Sequence, residues 1–199
     1  MTGTGTEIGK TWVGARVLAR LRADGLRVAA RKPVQSFAAA DGSTDADVLA
    51  QATGEEPGEV CPAHRWYERP MAPPMAADVL GRAPFTIADL VGEITWPDDV
   101  DVGLVEGVGG PRSPLAADGD TIDLVRALAP SVVVLVADAG LGAINAVRLS
   151  AAALPAALVV LNRYDGTDDL HVRNRRWLAD ECGLDIVAST EDVADRLRP

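Results

Sequence analysis

The chain has 199 residues, 48% of them hydrophobic and 24% charged, with a formal net charge of -10. That length suggests one domain, residues 1–199, and that composition excludes a disordered chain. The acidic balance argues against nucleic acid or an anionic membrane as partner, although a nest of backbone N–H groups can still hold an anion on an acidic protein.

The two cysteines, Cys61 and Cys182, match no metal spacing, which points to a reducing, cytoplasmic setting without a structural disulfide. No apolar run reaches membrane-spanning length, and the amino terminus has no signal-peptide pattern.

In chain order, Val13, Val17 and Leu21 predict a helix over Lys10–Ala23, with Gly25 just past its end. Leu26–Val34 reads as a strand leaving through Lys32-Pro33. After a polar loop, Asp45–Thr53 reads as a helix stopped by Gly54, and Glu55–Pro74 as a long irregular connection. Helical segments follow near Ala76–Leu80 and Thr86–Ile94. Val100–Glu106 predicts a strand ending on a carboxylate, followed by Gly107-Val108-Gly109-Gly110. Thr121–Leu128, Ile144–Ala153, Leu170–Cys182 and Glu191–Leu197 read as helices. They alternate with strands at Val132–Val136, Ala156–Leu161 and Leu184–Val187. Alternation of this kind predicts an α/β fold: a mostly parallel sheet with helices on both faces and ligands bound beyond the carboxyl ends of the strands.

Residues 3–11 read Gly-Thr-Gly-Thr-Glu-Ile-Gly-Lys-Thr and open a helix, which is a P-loop ending. Backbone N–H groups from Gly5, Thr6, Glu7, Ile8 and Gly9 turn toward phosphate at the helix amino terminus. Lys10 supplies charge to the outer phosphates, and the Thr11 hydroxyl suits Mg2+. The strict pattern wants glycine at position 4, where this chain has threonine. A P-loop usually follows a buried strand, yet only Met1–Thr4 precede Gly5. The spacing therefore predicts that the first strand is missing or that another segment fills its place.

Phosphoryl transfer needs a metal carboxylate and groups that position the acceptor. Glu106 is a candidate for the first role. Asp45 is another, or else a helix N-cap. Lys32 ends a strand beside the ligand crevice. Lys10 and Lys32 are the only lysines, which weighs against a surface role for either. Asn162 ends a strand as a base-reading amide or a turn residue. His64 and His171 lack metal spacing, and Arg173, Arg175 and Arg176 read as a solvated helix face.

In its motifs and their spacing, the chain resembles the dethiobiotin synthetase family. The likeness rests on residues 2–11, Lys32-Pro33-Val34-Gln35-Ser36, Asp45 and Pro70-Met71-Ala72-Pro73. It continues through Val105-Glu106-Gly107-Val108-Gly109-Gly110, Pro114-Leu115, Leu141-Gly142-Ala143-Ile144-Asn145 and Asn162. The resemblance implies a P-loop NTPase-like fold and an ATP- and Mg2+-dependent cyclo-ligase of biotin biosynthesis. The substrates it implies are ATP, CO2 or bicarbonate, and the diamino carboxylic acid 7,8-diaminononanoate. The route it implies runs through a carbamate and a phosphorylated carbamate. By the same likeness, Lys10 and Lys32 are catalytic, and Thr11, Asp45 and Glu106 organise Mg2+. Gly107, Gly109 and Asn162 join the nucleotide site, and Lys32 and Ser36 hold substrate. Gly142, Ala143, Ile144 and Asn145 cap the substrate carboxylate across a homodimer interface. The chain departs from the likeness at Phe37, where glycine is usual, and after Leu184, where the usual proline-containing segment beside the base is lacking.

Three other readings stay open on the residues alone. They are an amide-forming ligase domain of the cobyrinic acid synthase type, a ParA- or MinD-like ATPase switch, and a homologue that binds nucleotide without turnover.

Overall fold

A computed structural model describes all residues, 1–199. The elements run β1 (Thr2–Gly3), α1 (Lys10–Ala23), β2 (Val28–Arg31), β3 (Gln35–Ser36), α2 (Asp45–Thr53), α3 (Pro57–Val60), β4 (Trp66–Tyr67), α4 (Pro73–Val79) and α5 (Ile87–Glu93). They continue with β5 (Val102–Val105), β6 (Pro114–Ala116), β7 (Gly119–Asp120), α6 (Thr121–Leu128), β8 (Val133–Asp138), α7 (Ala143–Ala151), β9 (Ala157–Asn162), α8 (Asp169–Arg176), β10 (Asp185–Val187) and α9 (Thr190–Arg196).

β1, β8, β9 and β10 form a parallel four-stranded sheet in that order, and β2 pairs in parallel with β5. The two sheets are stitched at Met1. Its amine donates to the Val105 carbonyl at 2.6 Å, and its carbonyl accepts from the Gly107 N–H at 3.0 Å. The expected absence of a first strand is corrected to this extent: two residues of it stand in place, with Thr2 opposite Leu135 and Gly3 opposite Val136.

β8 is aliphatic from Val133 to Ala137, where both faces are covered, and ends on the exposed Asp138. Val134 and Val136 pack with Val13, Val17 and Leu21 of α1 and Val193 of α9. The alternate residues, Leu135 and Ala137, pack on the other face with Val147 of α7 and Leu178. Each fully buried Val or Leu here contributes about 1.5–3 kcal/mol. The edge of α1 away from β8 presents Leu18 to Ala30, Leu104 and Leu49 of α2. α1 is thereby wedged against both sheets, and the loop before it is held over their carboxyl ends.

Several boundaries differ from the sequence reading. The strand expected over Leu26–Val34 is confined to Val28–Arg31, since Pro33 lacks an N–H to pair. The irregular stretch from Glu55 contains α3, a 3-10 turn at Ala63–Arg65 and β4. The helix expected to Cys182 finishes in a π turn at Trp177–Glu181. The β6–β7 hairpin was not legible, because its strands are three and two residues long. Cys61 and Cys182 are both free, and burial pushes the Cys61 thiol up to about 12.

Candidate active site

The P-loop follows directly from β1. Gly9 adopts φ +89°, a left-handed conformation that glycine takes without strain. A Cβ on Gly9 would stand 2.2 Å from Asn162 Nδ2. Asn162, at the end of β9, donates to the Ile8 carbonyl at 2.9 Å and so fastens the loop from outside. The chain's only other contact of this kind from β9's exit is Arg163, whose guanidinium donates to the Glu7 carbonyl at 3.3 Å. Glu7 is left-handed as well, with φ 60°. Lys10 is 7% exposed and donates to the Gly5 carbonyl at 2.8 Å across its own loop. Burial, and then the nearby Lys32, hold its pKa below the ordinary lysine value.

Lys32 leaves the end of β2 and is 1% exposed. Its ammonium lies 2.6 Å from Glu106 Oε1, 2.7 Å from Asp45 Oδ2 and 3.1 Å from the Gly107 carbonyl. Burial opposes the charged form, but Glu106 and Asp45 outweigh it and hold the pKa above the usual lysine range. Asp45 is shifted the other way. Burial raises it, and Lys32 and the Thr11 hydroxyl lower it further than burial raises it.

Asp45 is not the cap of α2. Thr44 caps the helix in a capping box with Asp47, which leaves the Asp45 carboxylate free to face the site. Gln35 supports that arrangement, its Oε1 accepting from the Ala46 N–H at 3.1 Å. Nothing in the sequence alone marks Gln35 for this contact. Its signal, a polar residue two positions past a strand-ending Pro33, is too common to single it out.

Thr11 Oγ1 lies 2.8 Å from Asp45 Oδ1 and 2.9 Å from Glu106 Oε1. A hydroxyl has one proton and can satisfy only one of these oxygens at a time. Glu106 is fully buried, and its Oε2 has no partner. Two carboxylates, one of them with an orphaned buried oxygen, and a hydroxyl make a donor set with a surplus of lone pairs. Mg2+ suits such a set, because it binds through one or two carboxylates plus water and phosphate oxygens.

Lys10, Thr11, Lys32 and Asp45 line one cavity of about 730 Å3, within the size range of small-molecule sites, with Glu106 buried behind them. Ser36, Phe37, Asp41, Met71 and Val108 share its wall with the lysines. Ser36 donates to the Met71 carbonyl at 2.7 Å, which ties the Pro70–Pro73 turn to β3. Phe37 leans edge-on against Trp66 with ring centroids 6.2 Å apart. Gly107 sits against Thr121, and Gly109 turns at φ +53° beside the P-loop Thr6. The structure thus brings together Gly5–Thr11, Lys32, Ser36, Asp45, Glu106, Gly107 and Gly109, with Asn162 bound behind the loop. It leaves Gly142, Ala143, Ile144 and Asn145 outside this cavity. They lie at the start of α7, beside a Leu141 that is 93% exposed.

A parallel sheet and a glycine-rich phosphate loop at its carboxyl end, beside a cluster of a hydroxyl, two carboxylates and a buried lysine, define a P-loop nucleotide-binding protein. Solved structures agree on the fold. The signal recognition particle receptor FtsY of Elizabethkingia anophelis, crystallised with GDP, superposes with a TM-score of 0.55 at 18% identity. That match covers 94% of this chain and 56% of the receptor. A sequence-family profile described as an AAA domain matches residues 1–195. The ATP-dependent dethiobiotin synthetase BioD of Anaeromyxobacter sp. (strain Fw109-5) is 39% identical, covering all of this chain and 92% of that protein. Its counterpart from Rhodococcus jostii (strain RHA1) is 39% identical over 99% of this chain and 87% of its own length. That from Streptomyces coelicolor is 34% identical over all of this chain and 85% of its own length. The chain belongs to the ATP-dependent dethiobiotin synthetase family, a family of ligases.

Proposed function

We propose that this chain is an ATP- and Mg2+-dependent cyclo-ligase that makes dethiobiotin from 7,8-diaminononanoate and CO2. The observation that carries this reading is that the chain's only two lysines line one cavity with Thr11 and Asp45, while Lys32 and Thr11 both reach the buried Glu106. A reaction that passes phosphoryl between two anions needs preorganised cations at the meeting point.

One amine of the diamine attacks CO2, loses a proton and becomes a carbamate. A carbamate oxygen attacks the γ-phosphorus, and the bond from that phosphorus to the β–γ bridging oxygen breaks to release ADP. The second amine attacks the carbonyl carbon and loses a proton. The carbon–oxygen bond breaks, and phosphate leaves with the former carbamate oxygen.

In this reading the P-loop N–H groups and Lys10 hold the transferred phosphoryl group. Lys32 stays protonated throughout and opposes the carbamate charge. Thr11, Asp45 and Glu106 would hold Mg2+, which neutralises phosphate charge when bound. Asn162 keeps the loop in its left-handed turn and, with its carboxamide oxygen, faces the base. Ser36 and the Pro70–Pro73 turn wall the diamine side, with Phe37 narrowing it. Gly142 to Asn145 serve the active cavity of a second copy, so the working form is a homodimer, placed in the cytoplasm. No helix is long and apolar enough to cross a membrane.

The test is ADP release by purified protein with Mg2+ and bicarbonate, with and without the diamine, alongside the product mass. ADP release that depends on the diamine and matches cyclic urea formation is the expected result. ATP binding with no dependence on the diamine contradicts it.

A further inference from the structure

Asn174 stands among Arg173, Arg175 and Arg176 on the solvated helix α8, yet it is 6% exposed. One position in such a stretch turns inward, and here it carries an amide. Its Nδ2 donates to the Ala139 and Gly140 carbonyls, each at 2.9 Å. Carbonyls only accept, so only the nitrogen end of the carboxamide can face them, and its two protons satisfy both at once.

α8 is a fixed support for this contact. Asp168 caps it by accepting from the Leu170 and His171 N–H groups. Leu178, just past its end, is fully buried with Leu135 and Val147. His171, one turn before Asn174, lies beside the same loop: a Cβ at Gly140 would stand 3.8 Å from its Nε2.

The held segment leads directly into α7. The Gly140 N–H donates to Asp138 Oδ1 at 3.0 Å, and the Gly140 carbonyl also accepts from the Ala143 N–H at 3.2 Å. Gly142 turns at φ +90°, and no side chain caps the helix. The Ile144 and Asn145 N–H groups therefore have no acceptor within the chain. Where they point is set by the turn at Gly140, and Asn174 holds that turn to the body of the protein.

We propose that Asn174 is a positioning residue for the diamine. It fixes the Gly140–Asn145 loop so that the free N–H groups at the start of α7 meet the substrate carboxylate in a second copy's cavity. The inference rests on the reading in which this loop serves a second copy. Asn174 does not line its own copy's active cavity and acts only through the loop, so its loss falls on KM for the diamine.

Asn174→Leu fills the space without donors, and the near-isosteric Asn174→Asp sets a carboxylate against the two carbonyls. In each, KM for the diamine is expected to rise at least ~10-fold, with kcat within about twofold and Mg-ATP affinity unchanged. Without any substrate, the Ala143 and Ala146 amides exchange faster with solvent in both variants. Mixing Asn174→Leu with Lys32→Ala restores the low KM, because a hybrid dimer keeps one site with an intact cavity and an intact loop. Gly142→Val, strained at its left-handed φ, serves as the loop control. A raised KM in Gly142→Val alone overturns the role of Asn174 and leaves the loop reading standing. An unchanged KM in all three variants, or no rescue on mixing, overturns the loop reading and this proposal with it. Unchanged exchange at Ala143 and Ala146 overturns the positioning role whatever the turnover.

Discussion

Lys32 is the most tightly held charge of the site, and in the proposed reaction it is also the cation that opposes the carbamate. Its ammonium sits between Glu106 and Asp45 with almost no access to water. Removing one partner of a buried pair leaves an uncompensated charge, which costs about 3–5 kcal/mol. Lys32→Ala is therefore expected to lower the urea midpoint markedly. It also lowers kcat/KM at least ~100-fold, as loss of one preorganised charge-stabilising group does. Melting in the presence of saturating Mg-ATP separates the two losses: bound nucleotide restores the fold, and the rate stays down. The Met1 amine gives a second prediction at this scale. Burial lowers its folded pKa from 8.0 to about 6, so between pH 6 and 8 the unfolded chain binds a proton that the folded chain sheds. Its contribution makes stability rise with pH across that window, by on the order of 2–3 kcal/mol at 1.36 kcal/mol per pH unit. Unfolding free energies from urea titrations at pH 5.5 and 8.5 read this slope. A chain lengthened ahead of Met1, which carries its amine elsewhere, loses it.

Among the elements, the P-loop and α2 are the two that place the site. Gly9→Ala forces a Cβ into a left-handed turn against Asn162, so nucleotide affinity is expected to fall at least tenfold, measured by titration calorimetry. Thr44→Ala removes the α2 cap and costs about 1 kcal/mol. It also loosens Asp45, so the Mg2+ dependence of turnover shifts to higher concentration while saturating Mg2+ restores the rate. α1, α2, α6 and the aliphatic strands β8 and β9 were legible in the sequence, since periodicity, unbroken aliphatic runs and glycine stops report burial directly. Lys10, Thr11, Lys32, Asp45 and Glu106 were legible as a set, because each stands at the carboxyl end of a strand or at a helix start. Asn162 was legible as a residue at such an end, but its bond to Ile8 depends on how β9 sits beside β1, which no local pattern encodes. The cap role weighed for Asp45 belongs to Thr44, one position away. The β6–β7 hairpin and β4 are too short to show a period, and Gln35's hold on α2 is a tertiary contact.

Over the whole molecule, the two parallel sheets are a frame that brings the carboxyl ends of β1, β2 and β5 to one cavity, while α7 and its leading loop point elsewhere. Leu141 is 93% exposed and Leu149 68%, which suits a face covered by a second copy. Leu141→Asp is expected to shift sedimentation from dimer to monomer and to raise KM for the diamine, with ATP binding retained. The central claim concerns where the oxygen of the released phosphate comes from. In a single turnover with 18O-labelled CO2, ATP and the diamine, the carbamate route passes one labelled oxygen into inorganic phosphate, read by mass. Phosphate whose new oxygen comes only from water would mean that ATP is hydrolysed directly, and it would contradict the cyclo-ligase account.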